Sequence, residues 1–206
     1  MPESAEELYA RVVAAAGEDG RLPMPPYEDW DAFPWEIVDG ELVPKVLQPP
    51  VDAEAPRAGE SADKPCPTCS GERSDVRIWE NERWFVNLMM EPGGLPLIVF
   101  LQTKEHLDYP DMDDELASEY GRLSTRLCRI MSNLPNVGRV HVCRWGDGSQ
   151  HHHVWFIARP DRFSQIIGSM AVEWDEMLPP PPDDVRRADA KAIAERLATH
   201  DGRALT

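Results

Sequence analysis

Three consecutive histidines, His151, His152 and His153, run straight into Val154-Trp-Phe-Ile157, and no other stretch constrains this chain as strongly. A β-branched and aromatic run of this kind reads as a strand, here entered through the Gly-containing loop Gly146-Asp-Gly-Ser-Gln150. Side chains alternate along a strand, so His151, His153, Trp155 and Ile157 share one face, while His152, Val154 and Phe156 share the other. Two imidazoles on one side of a strand can hold a metal, or one can hold a metal while the other acts as base or nucleophile. The plainer alternatives are a surface cluster or a tag remnant. An internal triplet that leads into an apolar strand argues against a tag.

A chain of 206 residues accommodates one domain with a real core plus appendages, or two small domains. With 42% hydrophobic and 28% charged residues it is expected to fold. A formal net charge of −16 argues against a nucleic-acid groove as the working surface, yet is compatible with a local basic pocket for a phosphate. No apolar run approaches the roughly 18 residues needed to span a bilayer, and the acidic start Met-Pro-Glu-Ser-Ala-Glu-Glu is unlike a signal peptide. A cytoplasmic location with no membrane partner is therefore expected. In that reducing setting Cys66-Pro-Thr-Cys69 reads as a metal half-site or a redox pair rather than a disulfide. Cys128 and Cys143 fall in a helix pattern and a strand pattern and read as core thiols.

In chain order, Ser4 caps a helix over residues 4–16 with Leu8, Val12 and Ala15 or Ala16 inward. Leu22 to Glu60 is rich in proline and acids and cannot hold a long helix. Its apolar residues, Trp30 and Trp35 among them, predict extended strands wrapping the main domain, with a hairpin at Asp39-Gly40. Asp52 to Lys64 is the best candidate for disorder. Asp75–Glu80 and Arg83–Met90 flank a turn at Asn81-Glu82, and Leu95–Leu101 suits a strand covered on both faces. It is followed by His106. Asp111 to Ser132 is the clearest helix, and Arg139–Arg144 alternates as a strand. A second amphipathic helix is expected over 161–178, then a stiff break at Pro179 to Pro182. A last helix over 183–199 is expected to pack through Val185, Ala188, Ala192 or Ile193, and Leu197. The divisions are thus an N-terminal helix and Pro-rich wrapping extension (1–60), a main domain (61–178), and a break with a C-terminal helix (179–206).

Cys66 and Cys69 suit zinc if two further soft or imidazole ligands arrive from elsewhere. Alone, one Cys-x-x-Cys is an even choice between a metal and nothing. His106 and His151, both at strand ends, are the candidate partners, although His106 by itself also reads as an ordinary surface residue. A site of these four would be closed and four-coordinate, hence structural.

The series of Cys-x-x-Cys, strand pairs, an apolar strand followed by Lys-x-His, a long amphipathic helix and a closing His-x-His strand resembles the histidine-triad superfamily, with features of its galactose-1-phosphate uridylyltransferase branch. The resemblance runs from Cys66 to Pro160, under half the chain. It implies an α+β, HIT-like fold: an antiparallel sheet of about five strands, stapled by zinc, with the long helix and flanking helices. It maps zinc onto Cys66, Cys69, His106 and His151, the set already reached from ligand chemistry. It also makes His153 the nucleophile that attacks the α-phosphorus of a nucleotide or nucleotide-sugar. Ser149 and Gln150 fall in the phosphate-binding loop, where backbone N–H groups can stabilise developing charge. Arg144 could add a cation there, and Asn87 could meet a ribose hydroxyl. Trp155 stands where the family has a third His and the uridylyltransferase branch has Gln. An indole has no proton to give at neutral pH. Three readings follow: good leaving groups that need no acid, substrate stacked on the ring, or lost catalysis. The resemblance implies a nucleotidyl hydrolase or transferase, the alternative being a catalytically silent zinc-stabilised nucleotide-binding or scaffold module. Family members often pair through sheet edges or the long helix, so a homodimer is compatible with the resemblance, although residues 1–60 could cover those surfaces.

Overall fold

Six strands form one antiparallel sheet in a computed structural model of the protein, which describes residues 2–25, 32–72 and 74–206. They are β3 (Arg77–Glu80), β4 (Trp84–Leu88), β5 (Leu97–Thr103), β6 (Val137–Cys143), β7 (His153–Pro160) and β8 (Arg203–Ala204), in the spatial order β6-β7-β5-β4-β3-β8. β1 (Trp35–Val38) and β2 (Glu41–Pro44) make a separate hairpin. The helices are α1 (Ala5–Ala15), α2 (Asp114–Ser132), α3 (Met170–Met177) and α4 (Asp183–Ala198). The result is a mixed α and β fold with an antiparallel sheet.

β5 lies between β4 and β7, which explains its near-continuous apolarity: both of its faces are covered. On one face Val86, Val99, Leu101, Val154 and Phe156 meet Leu116, Leu123 and Leu127 of α2 and Ile193 and Leu197 of α4. Each such fully buried side chain contributes roughly 1.5–3 kcal/mol relative to exposure. On the other face Ile98 and Ile157 pack with Ile166, Ala171 and Leu178, and Val12 of α1 reaches the same cluster. α1 starts at a capping box in which Ser4 and Glu7 satisfy each other's backbone N–H groups, and Asp113 caps α2 through the Leu116 N–H.

The Asp39-Gly40 hairpin forms as the sequence predicts. Asp39 (φ 52°) and Gly40 (φ 84°) both take the left-handed conformation that a two-residue turn requires. Its apolar side chains are open, Ile37 being 67% and Leu42 68% exposed. Pro26 and Trp30 lie outside the described residues.

Three expectations are corrected. The helix expected over 161–178 occupies only Met170–Met177, because Arg162 (φ 67°) and Gly168 (φ 59°) leave helical geometry. The Arg159 guanidinium takes up the carbonyls of Phe163 and Ile166 in its place. α4 buries Asp189, Ala190, Ile193, Ala194 and Leu197, while Ala188 faces solvent, so its inward stripe is rotated from the one expected. The third correction concerns Asp52 to Lys64, expected to be disordered. Within it Ala58 bridges Ser149 of the body in parallel, and Ser61 bridges Lys64 inside the segment. β8, a two-residue strand on β3, was not foreseen; Leu205 N donates to the Ile78 carbonyl just beyond it. Among the described residues no helix is long and apolar enough to cross a membrane.

Candidate metal centre and adjoining cavity

Cys66, Cys69, His106 and His151 converge where β5 ends and β7 begins, with their ligand atoms all within 4.8 Å of one another. His151 Nδ1 stands 3.5 Å from each cysteine sulfur, and His106 Nδ1 3.3 Å from Cys69 Sγ. With Zn–S near 2.3 Å and Zn–N near 2.0–2.1 Å, a tetrahedral site has S···N edges of about 3.6 Å. These approaches match the edges of such a coordination tetrahedron. The opposite ring nitrogens agree. His151 Nε2 is 2.7 Å from the Thr103 carbonyl, to which it can only donate, and His106 Nε2 is 3.4 Å from Gln150 Oε1. Donation there leaves each Nδ1 with its lone pair turned to the sulfurs, as metal-bound histidines are commonly held. The donor set fits zinc. Burial, then the neighbouring Cys66, pushes the Cys69 thiol up to about 11, a cost that a bound cation reverses by favouring thiolates.

His153, two residues on, is not among the clustered ligands. Its Nδ1 lies 2.8 Å from the His151 backbone carbonyl, so Nδ1 carries the proton and Nε2 keeps a free lone pair. His153 lines a cavity of ≈ 650 Å³, within the range of small-molecule sites. The strand register builds its floor. One cross-strand row runs Asn87, Phe100, Trp155, and the next runs Phe85, Gln102, His153. Asn87, His153, Trp155 and Ser149 are thus brought together around one cavity. Trp155 is wedged edge-on against Phe100 (4.5 Å between ring centroids) and Trp145 (5.4 Å).

Two expected substrate contacts lie elsewhere. Gln150 turns to His106 rather than to the cavity. Arg144 is bound to Asp108 and lies over the Tyr109 ring. Asp108 is held below its usual carboxylate range despite burial by the Tyr109 N–H and by Arg57 and Arg144. His152 occupies the opposite face of the strand, as alternation predicts. It is fully buried among Trp84, Tyr109 and Tyr120, each 5.6 Å away between centroids. Neither ring nitrogen has a hydrogen-bond partner among the described residues, and burial, followed by the charges of His153 and Arg144, lowers its pKa to about 4.

Sequence reasoning missed residues 57–60. Arg57 donates to Asp108 Oδ2 (2.8 Å), Glu60 Oε1 (2.6 Å) and the Gly146 carbonyl (2.8 Å). Ala58 N donates to the Gly148 carbonyl, and Gln150 N donates back to the Ala58 carbonyl, both at 3.0 Å. Ser149 Oγ donates to the Ala58 carbonyl and accepts from His151 N. This segment therefore clamps the whole 146–150 loop, and Ala58 itself lines the cavity.

No family model matches the sequence, and no curated protein matches it either. Among solved structures it is similar to a hypothetical histidine triad nucleotide-binding protein from Sulfolobus tokodaii (16% identity, TM-score 0.49, 65% of this chain and 93% of that one). It is also similar to a histidine triad protein from Marinobacter aquaeolei (18%, 0.49, 64% and 95%) and to a Zn-bound histidine triad family protein from Mycobacterium smegmatis (18%, 0.45, 66% and 94%). At these identities and scores no chemistry passes from those proteins to this chain.

Proposed function

We propose that this protein is a histidine-triad-like nucleotidyl hydrolase or transferase that acts at the α-phosphate of a nucleotide or nucleotide-sugar through His153. The observation that carries the reading is the His153 Nδ1–H···O=C His151 hydrogen bond beside the cavity. With Nδ1 carrying the proton of the neutral ring, the Nε2 lone pair is free for nucleophilic attack. Attack by the Nε2 lone pair forms a P–N bond while the bond from phosphorus to the leaving oxygen breaks. The ring then bears positive charge, which the His151 carbonyl stabilises through Nδ1–H. Water or an acceptor hydroxyl next forms a P–O bond, the P–N bond breaks, and the imidazole returns with Nδ1–H intact; the incoming oxygen's proton leaves to solvent. Trp155 offers no acid to the departing oxygen, so the reading favours substrates whose leaving group departs as a stable anion, such as a phosphate or diphosphate.

Zinc held by Cys66, Cys69, His106 and His151 would supply a cross-link that fixes the start of β7, and with it the His151 carbonyl and the His153 ring. Residues 57–60 hold the loop from the other side. Asn87 and Ser149 are the proposed substrate contacts from β4 and the loop. Incubating the zinc-loaded protein with a panel of nucleotides should give turnover that His153→Ala reduces by about 10³-fold or more. Turnover unchanged by that substitution would end the mechanism.

One observation favours a second reading, a binding module without chemistry. The Trp155 ring, locked between Phe100 and Trp145, fills the place of a leaving-group acid with a rigid stacking wall. Calorimetry with recovery of the ligand separates the two, since a module binds a nucleotide and returns it intact.

A further inference from the structure

A second cavity of ≈ 610 Å³ opens between β3 and α4, and cations gather in it: Arg77, Arg186, Arg187 and Lys191 line it, against Asp75 and the terminal Thr206. That is unusual in a chain of net charge −16. The carboxylates that pair with the group are shared or distant. Asp183 alone serves both Arg186 (3.1 Å) and Arg187 (2.7 Å). Glu80 serves Arg77 at 3.3 Å but also Lys104 and Arg203. Lys191 reaches Glu195 only at 3.9 Å. The buried Nε atoms of Arg77 and Arg186 have no hydrogen-bond partner among the described residues.

The two cavities are neighbours, both lined by Val76, Leu88 and Met90. Arg186 of the second cavity donates to the carbonyl of Met89, a residue lining the cavity of His153. A concave site lined by one sign of charge concentrates potential, and guanidinium groups match the geometry of phosphate oxygens.

We infer that the second cavity is an anion subsite that takes a phosphate group, so that a substrate or acceptor carrying a second phosphate spans both cavities. The span rests on the reading of His153 as nucleophile; the anion subsite itself does not.

The test is an NMR titration of the full zinc-loaded chain with inorganic phosphate, followed through backbone amides. Resonances around Arg77, Arg187 and Lys191 should shift and saturate. The double substitution Arg187→Ala with Lys191→Ala, both exposed side chains, should weaken binding at least tenfold, from about 1.4 kcal/mol lost. His153→Ala should bind phosphate as the unsubstituted protein does. The pair Arg126→Ala with Arg129→Ala, in the basic groove along α2, serves as control and should leave binding unchanged. The inference is overturned if no resonance at the second cavity shifts, if the double substitution binds normally, or if the control pair weakens binding equally. Because the titration involves no chemistry, its failure would leave the role of His153 standing, and loss of the His153 chemistry would leave this subsite standing.

Discussion

The carbonyl of His151 accepts the Nδ1–H of His153 at 2.8 Å, while the His151 ring turns its own Nδ1 to Cys66 and Cys69. One residue thus belongs to the candidate metal cluster through its side chain and to the proposed nucleophile through its backbone. Anything that shifts the cluster moves the group that fixes the tautomer of His153.

Gly59 is the first place to test that coupling. Its φ of +93° suits glycine, and a Cβ there would stand 2.7 Å from His106 Cε1 and 3.3 Å from Cys66 Cβ. Gly59→Ala should therefore speed zinc release to a chelator at least tenfold and lower the melting temperature by several degrees, roughly the effect of 1–3 kcal/mol of strain. Unchanged release kinetics would show that the segment does not bear on the cluster.

Arg57→Ala should free the 146–150 loop without unfolding the sheet. Solvent screens the ion pairs of the partly exposed Arg57, so their loss should act on the loop rather than on the fold as a whole. Hydrogen exchange should accelerate at the amides of Ala58 and Gln150, with those of β5 unaffected. Equal acceleration in β5 would mean global destabilisation rather than a local clamp.

His152 leads to a prediction of opposite sign. Its ring is held by aromatic packing while both nitrogens lack hydrogen-bond partners among the described residues. His152→Phe keeps the packing and removes the stranded polar atoms, so it should stabilise the fold by about 1–2 kcal/mol in denaturant unfolding. Destabilisation would point to a hydrogen-bonding role for the ring.

Much of this site is legible in the sequence because its residue types and spacings leave few choices. A Cys-x-x-Cys pair that holds zinc commonly completes its set with thiolate or imidazole, and His106 and His151 both stand at strand ends. Strand alternation separates His152 from His153 before any coordinates exist. The clamp is different: Arg57 meets Asp108 51 residues on and the Gly146 carbonyl 89 residues on, and a low-complexity, proline-rich context gives no periodic signal. Gln150 and Arg144 are of suitable type and position for a phosphate, but their directions are set by His106 and Asp108, contacts made only in the folded chain. β8 is two residues long, too short for any alternation to register.

The acidity of Asp175 sets a pH dependence. This α3 carboxylate accepts the Leu95 N–H at 2.8 Å, and burial raises its pKa to about 6, above an unfolded value of about 4. Between those values the folded chain keeps a proton that the unfolded chain has lost. Its contribution to stability therefore falls as pH rises through that window, and the cost is complete above pH 6. Asp175→Asn retains the acceptor and removes the titration. The variant should exceed the parent in stability by about 2–3 kcal/mol at pH 7.5, the gap closing toward pH 4. A gap independent of pH would contradict the assignment.

The most direct measurement is the mass of the zinc-loaded protein, quenched at alkaline pH during turnover because phosphoramidates are acid-labile, and mapped to its peptides. A covalent nucleotidyl group on His153, absent from His153→Ala, is the predicted result. Turnover with no adduct on that peptide, or an adduct on another residue, would contradict the account.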